Sequence, residues 1–242
     1  MTEAHEDLDA RIERVDPDRW LATRFIDDPD KRADVVALYA LNDELARIPS
    51  AVTQPMLGEI RFAWWREAIE DVFEGRMPRA HPVTLALSTA VKRRGLPRPL
   101  LEALVDARER DLDPAPFADA DEALDYVDRT AGALAALAAK VLDVSADPHA
   151  VRSAARAWGL AGLHRSAASG GPARLPAELT ANLRGEVARA VKAARGETKA
   201  LSVPAFPAVA YVALAAPYAR GRTPSDLMRR LRVTAAVATG RL

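Results

Sequence analysis

The 242 residues carry 34 basic and 34 acidic side chains, 49% apolar residues and no cysteine. A neutral balance with no basic run longer than Arg93-Arg94 and Arg229-Arg230 with their neighbours argues against a nucleic-acid partner, which would need a basic face to displace phosphate counterions. The missing cysteine excludes disulfides, thiolate metal sites and cysteine nucleophiles.

The start, MTEAHEDLDARIERVD, is acidic and lacks the apolar core of a secretory signal, so the expectation is a cytoplasmic protein. Residues 1–17 read as a flexible N-terminus and 18–242 as one domain, since no linker, repeat or composition shift divides the rest. Ala, Leu, Arg and Glu dominate and period-two runs of β-branched residues are missing, so every long segment reads as helix and the fold as all-α.

A short helix over about Asp18 to Phe25 leads to Asp28-Pro29, an N-cap followed by a proline suited to the first helical turn. The acids Asp27, Asp28 and Asp30 read as capping and dipole partners in preference to metal ligands. From Ala33 to Ser50, Val35, Val36, Leu38, Tyr39, Leu41, Leu45 and Ile48 spread around most of the circumference, the pattern of a helix enclosed by others. Its polar groups Asn42, Asp43, Glu44 and Arg47 then face either an exposed end or an interior cavity, and Pro49 stops the helix near Ile48.

The next helix begins near Pro55 and closes at Gly75. It gathers Glu59, Arg66, Glu67, Glu70 and Glu74 on one side, against a wide apolar arc containing Phe62, Trp64, Trp65, Ile69 and Val72. Arg61 falls inside that arc and must be buried, paired or lining a pocket, because an unpaired buried guanidinium is strongly destabilising. Glu44, on an alanine-rich face with Ala37 and Ala40, is the expected partner for a buried Glu44–Arg61 pair.

His81-Pro82 opens a helix over Val83 to Arg94, with His81 read as a structural residue, and Gly95 and Pro97 end it. Further helices are expected at Pro99–Leu112, Asp121–Leu142 and Asp147–Ser166; in the second, Tyr126 and Thr130 share a face. The segment SGGPARLP is the clearest loop, after which Pro176 starts an amphipathic helix, and Pro207–Ala216 and Pro224–Thr239 add two more. The apolar run Val203 to Ala219 contains Pro204, Pro207 and Pro217 and reads as core packing, so no transmembrane span is expected.

Glycine-rich phosphate loops, G-x-S-x-G and H-E-x-x-H are all missing, which leaves helical carboxylates as candidate chemistry. An all-α enzyme acting on diphosphates typically needs acids at i and i+4 on facing helices, so that carboxylates hold Mg²⁺ and the metal holds phosphate.

The segments LYALNDELARI, GEIRFAWWREAIEDVFEG, HPVTLAL, ERDLD followed by LDYVDRTAGAL, RLP and VPAFPAV occur in an order and spacing that resembles the squalene/phytoene synthase family from about Trp20 to Tyr218. The resemblance implies an isoprenoid-synthase-type helical bundle around a central cavity, whose catalytic members join two prenyl diphosphates through two aspartate-rich motifs and Mg²⁺. Matched on Tyr39 and Ala40, the first motif falls on Ala46 to Ser50, ARIPS, which holds no acid. The second would precede Leu175-Pro176, yet 159–176 contains neither Asp nor Glu.

Asn42, Glu44, Leu45 and Ala46, the Arg61 to Trp65 segment and the Arg108 to Asp113 run are similar to a non-catalytic branch of the family resembling a mitochondrial complex I assembly factor. That resemblance implies a pseudoenzyme with no catalytic residue, no metal and no cofactor, and Tyr39, Asn42, Glu44, Arg61, Tyr126 and Arg165 are its candidate pocket or buried polar residues. The implied partner is a protein at a membrane surface, or an isoprenoid or lipid ligand, with a location in the cytoplasm or peripheral to the inner membrane. The first alternative is a Mg²⁺-dependent transferase of farnesyl or geranylgeranyl diphosphate using acids such as Asp106, Asp111 or Asp125; the second is an isoprenoid or lipid carrier.

Overall fold

A computed structural model describes residues 7–168 and 175–242 of the chain. Its α-helices in order are α1 (Leu8–Val15), α2 (Pro17–Thr23), α3 (Pro29–Arg47), α4 (Pro55–Phe73), α5 (Pro82–Arg94) and α6 (Arg98–Glu109), then α7 (Ala120–Val127), α8 (Ala133–Leu142), α9 (Pro148–Ala168), α10 (Ala177–Glu197), α11 (Ala215–Ala219) and α12 (Asp226–Thr239). The described residues contain no strand, so the all-α expectation holds. The loop expected at SGGPARLP lies mainly on 169–174, outside the described residues.

Helix α3 is the centre of the bundle. Every residue from Asp34 to Asn42 is buried, and the helix packs against α1, α5, α6 and α8. Its entry is fixed by Asp28, whose carboxylate accepts from the backbone N–H groups of Asp30 (2.8 Å) and Lys31 (3.1 Å). Buried Asp34 is compensated by Arg94 (2.6 Å) and Arg93 (3.4 Å). The helix stops as Pro49 requires, with Ile48 at its C-cap and a 3₁₀ turn over Pro49–Ala51.

Three sequence expectations change. The N-terminal segment contains a helix, α1, which Asp7 caps and whose Ile12 enters the core, where only a flexible start had been expected. Two acids and two bases balance in this eight-residue helix, and Leu8, Ile12 and Val15 recur at i, i+4 and i+7, a stripe legible in the sequence but only two turns long; its order comes from packing on α2 and α3. The helix expected over Asp121–Leu142 is interrupted by a π-helical segment at Asp128–Gly132, the kind of irregularity that frequently marks functional positions. The segment expected as a helix over Pro207–Ala216 consists of 3₁₀ turns at Phe206–Ala208 and Ala210–Leu214 leading into α11.

That last stretch is core, as its apolarity indicates: Ala205, Phe206, Ala208, Val209, Ala210 and Tyr211 are all buried. Among the described residues, no helix is long and apolar enough to cross a membrane. Helix α9 lies close to the π segment because it presents Gly159 there; a Cβ at this position would stand 2.5 Å from Cγ1 of Val127.

Candidate functional site

A cavity of about 290 Å³ lies between α2, the end of α3, the end of α6, the α7–π segment and α9. Its walls carry Arg19, Arg108, Arg110 and Arg165 against two acids, Asp111 and Asp113, so a neutral chain encloses a net positive interior.

Arg19 reaches this place from the first turns of α2. Asp16 caps that helix, accepting from the Arg19 backbone N–H at 3.3 Å and from its guanidinium Nη1 at 2.7 Å. The guanidinium carbon lies 5.0 Å from the ring centre of Tyr211, 5.5 Å from Trp158 and 5.9 Å from Tyr39, an aromatic cage around a nearly buried cation. Burial pulls the Arg19 pKa down, but the Asp16 carboxylate outweighs it and holds the group charged. Arg19 Nε and the hydroxyls of Tyr39 and Tyr211 have no hydrogen-bond partner among the described residues.

Arg108 enters from the last turn of α6. Its Nη1 donates to Tyr126 Oη (2.9 Å) and to Asp111 (3.3 Å), and its Nη2 donates to Asn42 Oδ1 (3.1 Å). Tyr126 donates in turn to Asp111 at 2.8 Å, and burial pushes its phenol well above the usual range. Nε of Arg108 is a further buried donor without a partner among the described residues. Two guanidinium groups on the wall of a partly enclosed cavity have the charge and donor chemistry that suit an anion.

At the rim, the Arg165 guanidinium lies over Tyr218, 4.3 Å from its ring centre. Tyr218 donates to buried Asp18 at 2.6 Å, and burial with that bond raises its pKa to about 12. A second cavity, of about 440 Å³, shares Gly162, Arg165 and Ser166 with the first and extends to Tyr218 and Arg222.

The expected pocket residues divide into two groups. Tyr126 and Arg165 line the central cavity, while Asn42 holds Arg108 and Tyr39 lies against Arg19. Arg165 is exposed as a residue, so it belongs to the rim and not to the buried interior. Glu44 and Arg61 belong elsewhere, in a groove with Arg47, Ile48, Trp64 and His81.

The expected Glu44–Arg61 pair does not form. Glu44 is held by Arg11 (2.6 Å) and Arg47 (2.8 Å), Asp43 by Arg11 (2.5 Å), and Arg61 is exposed with no ion pair among the described residues. The cause is axial position. Arg61 shares its angle with Ala68 and Val72, both buried, but sits about two and three turns nearer the helix start, where that flank opens to the groove. His81 caps α5 through its Nδ1 (3.3 Å from the Val83 N–H) and packs against Trp64 and Trp65, consistent with a structural role.

Sequence reading missed Arg19, Trp158 and Phe117 and gave Arg108 only as part of a motif. The available signal was the Asp16-Pro17 cap, which fixes where α2 begins and therefore which way Arg19 points.

The residues present do not fit a Mg²⁺ cluster. Ala46 stands on the cavity wall, and α9 offers it Gly159, Gly162, Leu163, Arg165 and Ser166, without a carboxylate. Asp111 is engaged by Arg108 and Tyr126, and Asp113 by Arg110 (3.5 Å). Asp106 and Asp125 are exposed and pair with Arg66 and Arg129. Among the described residues, no group of three or more His, Cys, Asp or Glu side chains is placed to hold a metal.

The architecture is that of an isoprenoid-synthase-type helical protein. A ligand-bound dehydrosqualene synthase matches 97% of this chain and 95% of its own with a TM-score of 0.78 at 12% identity. A squalene synthase from Alicyclobacillus acidocaldarius matches 97% and 93% with a TM-score of 0.68 at 13% identity. The squalene/phytoene synthase family model matches residues 12–169, and the chain belongs to that family.

Its curated relatives include NADH dehydrogenase (ubiquinone) complex I, assembly factor 6, from Homo sapiens, 33% identical over 134 residues covering 54% of this chain and 40% of that protein. The Rattus norvegicus protein of the same name is 36% identical over 127 residues, 51% and 38% of the two chains. The matched part thus spans about two fifths of these relatives' length.

Proposed function

We propose that this chain is a non-catalytic member of its family that works by binding, as an assembly or scaffold factor for a respiratory complex, peripheral to the inner membrane on its cytoplasmic side. The observation that carries the reading is the cavity wall, where Ala46 and an acid-free α9 face Arg19 and Arg108 and, among the described residues, the two acids are tied to arginines or tyrosine. Such a wall repels a divalent cation and attracts an anionic headgroup or carboxylate without a metal. The assembly role rests on the relatives named complex I assembly factor 6.

Three measurements test it. Incubation with farnesyl or geranylgeranyl diphosphate and Mg²⁺ is expected to release no pyrophosphate, and thermal stability in the presence of these compounds is expected to be the same with Mg²⁺ or with EDTA. A Mg²⁺-dependent rise in melting temperature with pyrophosphate release overturns the non-catalytic reading in favour of a prenyltransferase. Deleting the chain in its host is expected to lower the amount of assembled complex I, and an unchanged amount overturns the assembly role.

A further inference from the structure

The C-terminal region breaks the charge balance of the chain. Between Arg220 and Arg241 there are six arginines and one acid, Asp226, although the protein as a whole is neutral. Arg229 takes that acid and also reaches Asp18 (3.4 Å). Arg220, Arg222, Arg230, Arg232 and Arg241 are all exposed and have no ion-pair partner among the described residues.

These cations surround an apolar row. Helix α12 is docked by Val233 and Ala236, which are buried against the Ala210–Leu214 turn and α2. On the opposite side, Leu227 is 69% exposed, Leu231 54% and Met228 44%, and exposed Thr234, Ala235 and Ala238 continue the strip. At about 100° per residue, Arg230 falls along one edge of this strip and Arg232 along the other, with no acid on the strip itself.

The first turns of α4 also expose Met56, Leu57 and Ile60, but there Glu59 and Arg61 interleave and no net charge builds up. An apolar strip edged by arginines suits a bilayer interface, where leucine and methionine enter the acyl boundary and guanidinium groups remain with lipid phosphates. We infer that the outward face of α12, with the Arg220–Arg222 loop, docks on the surface of a bilayer containing anionic phospholipid.

The inference rests on the proposed peripheral placement and is independent of the cavity. Sedimentation of the full chain with phosphatidylcholine vesicles, with and without phosphatidylglycerol, tests both. Binding is expected only with phosphatidylglycerol. The Leu227→Ser, Leu231→Ser double variant is expected to lower it at least ten-fold, and Arg230→Gln and Arg232→Gln about five-fold each, because a basic residue near an anionic surface is worth about 1 kcal/mol. All four positions are exposed, so circular dichroism and melting temperature are expected to be unchanged.

Binding that is undiminished in these variants overturns the α12 assignment and leaves the peripheral placement in force. No binding to either vesicle overturns both, and cross-linking of α12 to a protein partner in that case reassigns the face. Equal binding to pure phosphatidylcholine overturns the requirement for anionic lipid.

Discussion

Asn42 and Asp43 are adjacent in α3 and belong to opposite electrostatic regions. Asn42 turns toward the cavity, where a neutral amide oxygen accepts from Arg108 and no carboxylate of α3 takes part. Asp43, with Glu44, turns outward and shares Arg11 and Arg47 in a compact cluster of ion pairs. At this end of α3 the acids therefore face the outer ion-pair cluster while cations of α2 and α6 face the cavity, the reverse of what carboxylate coordination of a metal demands. The two regions also differ in margin, since the outer acids have two arginines between them while Arg19 in the interior has one carboxylate, Asp16.

The sharpest way to break the comparison is Asp16→Ala. It strands the Arg19 charge among Tyr39, Trp158 and Tyr211 and removes the α2 cap, so a loss of about 3–5 kcal/mol in urea unfolding is expected. A loss below about 1 kcal/mol would show that the interior cation is not held by its carboxylate.

The matching change outside, Arg11→Met, is expected to cost less, about 1–2 kcal/mol, because Arg47 remains beside both acids and the replacement keeps the buried alkyl stem. If Arg11→Met proves the costlier of the two, the ranking of the two regions is reversed.

The smallest expected effect is a pH dependence at the rim. Tyr218 keeps its proton to about pH 12 in the folded chain, against an ordinary value of 10.0, so the folded state holds this proton more tightly than the unfolded one. That contribution is complete below pH 10 and falls away as pH rises toward 12. Stability measured across this interval is expected to fall in the native chain, and the Tyr218 part of the fall to vanish in Tyr218→Phe; identical profiles would remove the Tyr218–Asp18 bond from the account.

Much of the fold was legible because helix signals are local. Asp28-Pro29 starts α3 and Pro49 ends it, and the apolar residues around α3 announce its enclosure before any neighbour is known. The lack of acids over 46–50 and 159–176 was legible too, since composition needs no geometry to interpret.

The arginine site was not legible, because helical angle says nothing about height along the axis or about the partner helix. Of the three places open to Arg61, buried, paired or lining a pocket, the structure shows the last, exposed on the groove and without the expected Glu44 partner, whereas Arg19, on a seven-residue helix, is nearly buried. The π segment at Asp128–Gly132 was equally hidden, as it accompanies the approach of α9 at Gly159, a contact between residues distant in sequence.

The alanine at position 46 has a further consequence. An acid placed there would face Arg19 and Arg108 across the same cavity and form an ion pair before it could gather a divalent ion. Removing either arginine first would strand Asp16 or loosen the Asn42–Asp111–Tyr126 cluster. Either single change, an acid at position 46 or the loss of an arginine, is therefore expected to lower stability before any metal site could form.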